Sequence, residues 1–476
     1  MATNETTYRS SLQELIDFVR IPNNVYIPEQ IQTNAQVLKR MMEKRGIAVE
    51  LWQTPEGSPF VYGELLTTTA TNTVLIYGHY DGVPVIEDMW DSEPFEPIFR
   101  KQDCYRETFQ LDGLSDEELL NCDLRIYGRS VADSKNSIVA VLAALDILKN
   151  RGITPSVNLK FLFDGEEEVE SPGLEQIIES HKEKLIADVV ISVSGETHQS
   201  GLPTVMLGLR GILQFDLTVF TMATDLHSGH FGNFAPNANL RLANLLSSMK
   251  NDKGHILIPG FYDLVQPLLQ GELEEIKKIP KIEEVLQKRF GIHSYENEGV
   301  SLQELLNKPT FNIRGMLGGY IGDSASNIIP SKAEAEIDIR LVKGMDPAIT
   351  MGKITSHIEN EGWTILDHEP SFEELLEYEK VIKLEEKGSF PATRTSLDSF
   401  AAQYIVGAVR STVEEQVIVM PTDGGSLRLY LFEKMGIPVI ELPTSNYDCN
   451  QHSHNENLKL SYFYRAINIF TALFSS

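Results

Sequence analysis

The sequence of 476 residues contains only three cysteines, Cys104, Cys122 and Cys449, and no C-x-x-C pair. This scarcity excludes a disulfide framework and a thiolate zinc site, and it favours a reducing compartment, so we expect a cytoplasmic protein. Long apolar runs are also lacking, since no stretch approaches the roughly 18 residues that a transmembrane helix needs. The amino-terminal segment has no basic region followed by an apolar core, which argues against a signal peptide.

Basic residues are scarce relative to acidic ones. The chain has 41 Lys and Arg against 68 Asp and Glu, which gives a formal net charge of -27 at pH 7. Such a balance argues against nucleic acid or an anionic membrane as a partner. Most of the excess acid is expected on a solvated surface, although some carboxylates could bind metal. The 42% hydrophobic content is that of a globular protein, and the length favours more than one domain.

Apolar patterning predicts an α/β sheet near the start of the chain. Residues 74–77, 156–163 and 188–193 have the composition of strands, and residues 137–149 between the first two have that of a buried helix. Strands that alternate with helices are typical of sheets with parallel strands, in which chemistry collects at the carboxyl ends of the strands. The same pattern resumes after about residue 392.

The middle of the chain has a different pattern. Residues 211–220 and 333–342 alternate between apolar and polar, as half-exposed antiparallel strands do, and residues 262–307 are charged and favour helix. We therefore predict a smaller α+β domain inserted into a discontinuous one. The predicted division is a catalytic domain in two parts, 1–209 and 393–476, with the insertion at 210–392.

Polar side chains follow several of the predicted strands. The candidate ligands are His79, Asp133, the run Glu166 to Glu168, Glu196 and His452. Each alone could be a turn residue or a helix cap, but their coincidence at strand ends predicts a metal centre. Nitrogen and oxygen ligands without thiolates suit zinc, manganese or cobalt, and so many candidates suit two ions that share a carboxylate. Asp81 is placed to orient His79 through the other ring nitrogen.

Several segments in a fixed order carry a family resemblance. They are YGHYDGVPV, W-x-x-x-PFEP, YGRSVADSK, DGEEE, LGLRG, DLHSGHFGN, GMLGGYIGDSASNIIPSKAEAEIDIRLVKGMDP and HSHNE. Together they resemble the M20 metallopeptidases, which include di-zinc carboxypeptidases, aminoacylases, deacetylases and dipeptidases, and especially the cytosolic carnosinase-type dipeptidases. The resemblance implies a mixed sheet flanked by helices, of the di-zinc exopeptidase type, with an inserted α+β lid and dimerisation domain.

The resemblance also implies roles for individual residues at the metal centre. Two divalent ions, expected to be Zn²⁺ although Mn²⁺ or Co²⁺ would suit, would be held by His79, Asp133, Glu168, Glu196 and His452, with Asp133 bridging. Counting back from Ser171 makes Glu167 the general base, whereas counting from Gly165 would give Glu166. Asp81 would assist catalysis by orienting its histidine.

Further residues are implied in substrate binding and in assembly. His227 in the lid would reach the active site of the partner subunit and stabilise the oxyanion, which implies a homodimer formed through the lid domain. Asn327 and Arg340 would bind the carboxylate of the substrate, and Gly424, Gly425 and Ser426 would form a loop beside it.

This chain departs from the family pattern at three places near the site, one of which is Asp423 in the TDGGS loop, where some dipeptidases have other residues. Ser134 follows the bridging Asp133 where many relatives have a second aspartate. The aspartate that carnosinase-type enzymes have after the strand predicted at 188–193 is absent, since the chain reads Val193-Ser194-Gly195-Glu196. Gly195-Glu196-Thr197 resembles the GEPT of the deacetylase branch, which is why Glu196 is the predicted fifth ligand.

The leading hypothesis is a two-metal hydrolase that cleaves the amide bond of dipeptides or small peptides with a free carboxylate, by attack of a metal-bridging hydroxide. The alternative is an N-acyl amino acid deacylase of the acetylornithine deacetylase or aminoacylase type, which the GET segment favours, whereas the helical stretch at 262–307 favours a dipeptidase. A non-enzymatic alternative is an inactive M20 relative that binds an amino-acid ligand. A plausible residue at every ligand position argues against it.

Overall fold

The computed structural model describes residues 2–55, 57–101, 108–119, 124–297 and 299–475. Cys104 and Cys122 lie outside these ranges, whereas Cys449 is a buried free thiol. Within the described ranges, no helix is both long enough and apolar enough to cross a membrane.

The helices range from single turns to segments of several turns. They are α1 (Ala2–Val19), α2 (Pro28–Glu43), α3 (Asp116–Leu119), α4 (Asn136–Asn150), α5 (Leu174–Ser180), α6 (Ser228–Phe231), α7 (Ala238–Met249), α8 (Gln270–Lys278), α9 (Glu283–Phe290), α10 (Leu302–Leu305), α11 (Pro347–Asn360), α12 (Phe372–Glu377), α13 (Phe400–Thr412), α14 (Tyr430–Lys434) and α15 (Leu460–Ser475).

The strands in the described ranges form four sheets. They are β1 (Ala48–Trp52), β2 (Phe60–Leu65), β3 (Thr73–His79), β4 (Ile98–Lys101), β5 (Leu124–Tyr127), β6 (Asn158–Asp164), β7 (Val189–Ser192), β8 (Thr204–Met206), β9 (Gly211–Phe220), β10 (Leu226–His227), β11 (Asn312–Leu317), β12 (Ile328–Ile329), β13 (Lys332–Leu341), β14 (Thr364–Leu366), β15 (Val381–Phe390), β16 (Ile418–Met420), β17 (Val439–Glu441) and β18 (Asn457–Lys459).

The largest sheet has eight strands in the order β1-β2-β6-β3-β7-β17-β8-β16. Its central strands β6, β3, β7 and β17 run parallel to one another, and β1 and β2 add an antiparallel edge. Since the carboxyl ends of β3, β7 and β17 meet at one edge, the residues that follow these strands converge there. The predicted α/β fold with a mixed sheet is therefore confirmed.

Apolar side chains cover both faces of this sheet. The long apolar run in α4 packs against α1 and α15 over one face, together with α13. The opposite face is covered by α5 and α14, whose apolar side chains pack on strand residues such as Leu75 and Val439. A strand buried on both faces needs apolar residues throughout, which explains the continuous apolar runs in β3, β7 and β17.

The second large sheet has five strands in the order β11-β13-β9-β15-β14. Strands β9 and β13 pair antiparallel over their full lengths, and their buried and less buried residues alternate along each strand. Apolar residues of α7 and α11 cover the buried face. Alternation of this kind is what a sheet with one packed and one solvated face requires, as the sequence predicted.

The structure refines the predicted helical stretch at 262–307. It contains three short helices, α8, α9 and α10, rather than one long one. Pro280 follows α8 and cannot donate a helical hydrogen bond, and Gly291 ends α9 with a φ of +67°. Strands from both ends of the chain pair in the eight-stranded sheet, as β7 does with β17. The division at residues 209 and 392 stays a prediction.

Candidate metal centre

His79 is the last residue of β3 and is 1% exposed. Its Nδ1 lies 3.2 Å from Oδ1 of Asp81, so that Nε2 faces Oδ1 of Asp133 at 3.1 Å. The other oxygen of Asp81 accepts a hydrogen bond from the backbone N–H of Glu168 at 3.0 Å. Asp81 thus fixes both the ring of His79 and the turn that carries Glu168, which is how carboxylates orient metal-binding histidines.

Asp133 lies in a tight turn, Val131–Lys135, that leads into α4. Glu456 holds this turn from outside: its Oε1 accepts from the backbone N–H groups of Ala132 and Asp133 at 2.8 and 2.9 Å. Oε2 of Glu456 accepts from the guanidinium of Arg129 at 2.8 Å. The position of the Asp133 carboxylate is therefore set by a second, fully buried carboxylate.

The carboxylate of Asp133 lies between two histidines. Its Oδ1 is 3.1 Å from Nε2 of His79, and its Oδ2 is 3.0 Å from Nε2 of His452. The same nitrogen of His452 is 3.1 Å from Oε2 of Glu168. Donor atoms of His79, Asp133 and Glu168 lie within 4.8 Å of one another. This is the arrangement that a bridging carboxylate needs between two cations.

The three consecutive glutamates have three different environments. Glu166 is buried, and its two oxygens accept from the backbone N–H groups of Ser58 at 3.0 Å and Gly173 at 2.5 Å. Oε2 of Glu167 is 3.8 Å from Nε2 of His79. Glu168 contacts His452 instead. Glu166 is thus anchored to the backbone, while the next two side chains face the cluster.

The electrostatics of the cluster favour a bound cation. Burial, opposed by His79 and reinforced by Glu168, raises the pKa of Glu167 to about 8. Hydrogen bonds to Asp133 and Glu168 raise the pKa of His452 to about 10. Burial alone would raise the pKa of Asp133, but hydrogen bonds with His452 and His79 bring it below its ordinary value. Closely spaced carboxylates with two imidazoles are a donor set that fits divalent zinc, manganese or cobalt.

A cavity of about 470 Å³ opens beside the cluster. Its lining includes Asp133, Glu167, Glu196 and the loop residues Gly424, Gly425 and Ser426. Arg340 adjoins this loop, since its Nη1 donates to Oγ of Ser426 at 2.7 Å. The structure therefore places the predicted base, the predicted substrate loop and three predicted metal ligands, Asp133, Glu196 and His452, around one cavity.

Three predicted site residues are placed differently. Glu196 lines the cavity, but its Oε1 accepts from the Cys449 thiol at 3.2 Å. His227 and Asn327 are exposed in the segment predicted to be the lid, and the described lining of the cavity contains neither. Nδ1 of His227 accepts from the backbone N–H of Gly229 at 3.0 Å. These contacts leave the roles of all three as predictions.

Two buried carboxylates were missed in the sequence. Glu456 ends the HSHNE segment, which drew attention to His452 but gave no role to the glutamate. Glu441 is the last residue of β17 and also lines the cavity. Its sequence signal was a single acidic residue inside the apolar run IPVIEL.

Comparisons with known proteins identify the family of this chain. The model of peptidase family M20/M25/M40 matches residues 75–476. The Cys-Gly metallodipeptidase dug1 of Schizosaccharomyces pombe is 28% identical over 98% of this chain and 90% of its own length. The Beta-Ala-His dipeptidase of Mus musculus is 26% identical over 89% of this chain and 81% of its own length. The solved structure of the M20 family metallo-carboxypeptidase Sso-CP2 from Sulfolobus solfataricus is 30% identical, with a TM-score of 0.78 over 98% of each chain.

The fold and the site define a metallopeptidase with an α/β catalytic sheet. The chain belongs to peptidase family M20/M25/M40, since that family's model matches most of its length.

Proposed function

We propose that this protein hydrolyses the amide bond of dipeptides or small peptides that carry a free carboxylate. The observation that carries the proposal is the position of Glu167 beside His79, at a cavity that also meets Asp133 and the loop near Arg340. Several curated relatives are named as dipeptidases, and this agrees with a small substrate. The deacylase alternative has no such support from these names.

We propose His79, Asp133, Glu168 and His452 as the residues that hold two divalent ions. The fifth predicted ligand, Glu196, stays a prediction. When bound, the two ions would polarise the scissile carbonyl, supply water of lowered pKa and bring the pKa of Glu167 back toward its ordinary value. Zinc as the physiological metal, and a cytoplasmic location, also stay predictions.

Glu167 would serve as general base and then as general acid. Its carboxylate is buried at the cavity, and Glu166 is unsuited to the role because backbone N–H groups occupy both of its oxygens. With the cations bound, the Glu167 carboxylate would be ionised at neutral pH, so it could accept a proton from water and deliver it to the leaving amine. Asp81 would support this chemistry by holding His79 and the backbone of Glu168 in place.

The Arg340 guanidinium is proposed to bind the substrate carboxylate. Its hydrogen bond to Ser426 at 2.7 Å holds it against the Gly424–Ser426 loop that lines the cavity. A planar guanidinium can donate two parallel hydrogen bonds to a carboxylate, which fixes the orientation of a short substrate. Asn327 would assist from the lid.

We further propose that the protein acts as a homodimer joined through the lid. Ile321 is 90% exposed and Phe234 is 83% exposed, and the edge strand β11 exposes Met316 and Leu317. Large exposed apolar side chains such as these would gain stability from burial at a protein interface. In such a dimer the exposed His227 would be available to the active site of the other protomer. Light scattering coupled to gel filtration would test this, and a monomer at every concentration would contradict it.

The function is tested with chelated protein and added Zn²⁺, Mn²⁺ or Co²⁺. We would compare dipeptides with N-acetyl amino acids, and Glu167→Gln with the exposed-site control Glu179→Gln. We expect metal-dependent cleavage of dipeptides, and a loss of about 10²–10⁴-fold in kcat for Glu167→Gln with metal still bound.

Other outcomes would contradict the proposal. Faster cleavage of N-acetyl amino acids than of any dipeptide would assign the protein to the deacylases. Two bound ions without turnover of any substrate would instead indicate an inactive relative.

A further inference from the structure

Glu441 lies in line with the metal centre across the eight-stranded sheet. In the parallel register, Tyr77 of β3 pairs with Ser192 of β7, and Ser192 pairs with Glu441 of β17. Side chains in one such row share a face, and His79 lies on that face as well, two residues after Tyr77. Glu441 is therefore on the same face of the sheet as His79, at the level of Tyr77. The residue of β7 that lies between these strands is the small Ser192.

Among the described residues, no counter-charge acts on the buried side chain of Glu441. It is 4% exposed, and within the described part of the chain its Oε2 has no hydrogen-bond partner. The charged groups with the strongest effect on it are the carboxylates of Asp423 and Glu167. A buried carboxylate in such surroundings is unfavourable unless a cation or a proton joins it. Glu441 lines the same cavity as Asp133 and Glu167, which is where cations are expected.

Gly195 leaves space for the carboxylate of Glu441. Gly195 has a φ of +91°, and a Cβ at this position would lie 2.5 Å from Oε1 of Glu441. Any larger residue at position 195 would displace the carboxylate from the cavity wall. The backbone conformation and the available space both require glycine here.

The two halves of the metal centre differ in their number of ligands. On one side, Nε2 of His452 meets both Oδ2 of Asp133 and Oε2 of Glu168. On the other side, Nε2 of His79 meets Oδ1 of Asp133 and the proposed base, Glu167. A catalytic zinc ion usually has three protein ligands, so the His79 side needs one more carboxylate.

Three more carboxylates line the cavity, and Oδ2 of Asp423 among them accepts a hydrogen bond from the backbone N–H of Gly425 at 2.8 Å, which leaves Glu196 and Glu441 as the candidates for that side. Glu196 already accepts a hydrogen bond from Cys449 at 3.2 Å, whereas Oε2 of Glu441 is without a partner in the described chain. Val193, the first residue after β7, is fully buried among apolar side chains and offers no donor atom. We propose that Glu441, from the neighbouring strand β17, is the carboxylate ligand of the divalent cation on the His79 side.

This inference rests on the proposed two-metal function, and metal binding tests it without reference to activity. We would titrate the chelated full-length protein with Zn²⁺ by calorimetry and measure bound zinc by elemental analysis. The variants are Glu441→Gln and Glu196→Gln, with Glu179→Gln as an exposed control. Thermal unfolding of each metal-free variant would show that it is folded, and Glu441→Leu serves as a second variant if the glutamine variant is not.

The wild-type protein and the Glu196→Gln and Glu179→Gln variants should bind two ions. Residues that only orient ligands contribute about 10–100-fold to metal affinity, so loss of a direct ligand should weaken one of the two sites by at least about 100-fold in Glu441→Gln. Two ions bound with unchanged affinity in the Glu441 variants would overturn the inference. Loss of an ion in Glu196→Gln alone would overturn it as well and would assign the ligand to Glu196. Fewer than two ions in the wild type would overturn the proposed function itself.

Discussion

Glu456 offers a sharp test of how the metal centre is positioned. It is fully buried, and its oxygens accept four hydrogen bonds: three from the backbone N–H groups of Ser130, Ala132 and Asp133, and one from the guanidinium of Arg129. Replacement by glutamine keeps the shape of the side chain but turns one acceptor oxygen into an NH₂ group that cannot accept. At least two donors then lose their partner.

The expected cost follows from these contacts. Each hydrogen bond to a charged group contributes about 1.5–3 kcal/mol, and breaking a buried ion pair costs about 3–5 kcal/mol. The hydrogen-bond figure and the ion-pair figure describe the same contacts of Glu456, so the two free energies are not added. Burial raises the pKa of Glu456 even though Arg129 opposes the rise, which shows that desolvation offsets part of the interaction. We therefore expect the lower end, about 3 kcal/mol lost from the free energy of unfolding.

The same change should loosen the turn that carries Asp133. We expect zinc affinity to fall about 10–100-fold, as it does when residues that orient metal ligands are removed. Urea unfolding of the metal-free protein measures the first effect and calorimetric zinc titration the second, with Glu179→Gln as the control. A loss of stability below about 1 kcal/mol together with unchanged zinc affinity would refute the positioning role of Glu456.

Three further predictions concern the ring of His79, the guanidinium of Arg340 and the effect of pH. Asp81→Asn should weaken zinc binding about 10–100-fold in calorimetry, because His79 loses its carboxylate partner, and unchanged affinity would argue against that role. Arg340→Lys should raise KM about 10-fold while kcat stays within about 2-fold, because lysine keeps the charge but not the paired donors; an equal fall in kcat would place Arg340 in the chemical step. Burial raises the pKa of Glu167 to about 8 and that of Asp164 to about 7, so the stabilities that these two groups contribute are fully present below their ordinary pKa values near 4. The melting temperature of the metal-free protein should therefore fall as the pH rises from about 4 to about 8. A rise in melting temperature over that range would contradict the raised pKa values of the two groups.

Much of the fold could be predicted from periodicity. The clean alternation at 211–220 coincides with β9, and the apolar run at 137–149 lies within α4. The ends of the elements were harder to predict. The apolar pattern predicts the end of the first strand at residue 77, whereas β3 extends to His79. A polar residue that ends a strand for functional reasons looks, in sequence, like the start of a loop.

Candidate ligands could be predicted from the sequence where a single polar residue stood at the end of a strand, as His79 does. Spacing alone could not separate Glu166 from Glu167, because the separation depends on the backbone N–H groups of Ser58 and Gly173, which are distant in sequence or follow a turn. Glu441 was hidden for a related reason, since its importance depends on the alignment of β17 with β7 and not on a local motif.

The most direct test of the two-metal claim is the anomalous scattering of zinc in a crystal of the zinc-loaded protein. We expect two peaks per chain, one on each side of the Asp133 carboxylate. One peak should lie beside His79 and the other beside His452 and Glu168. A single peak, or peaks away from Asp133, would contradict the two-metal centre.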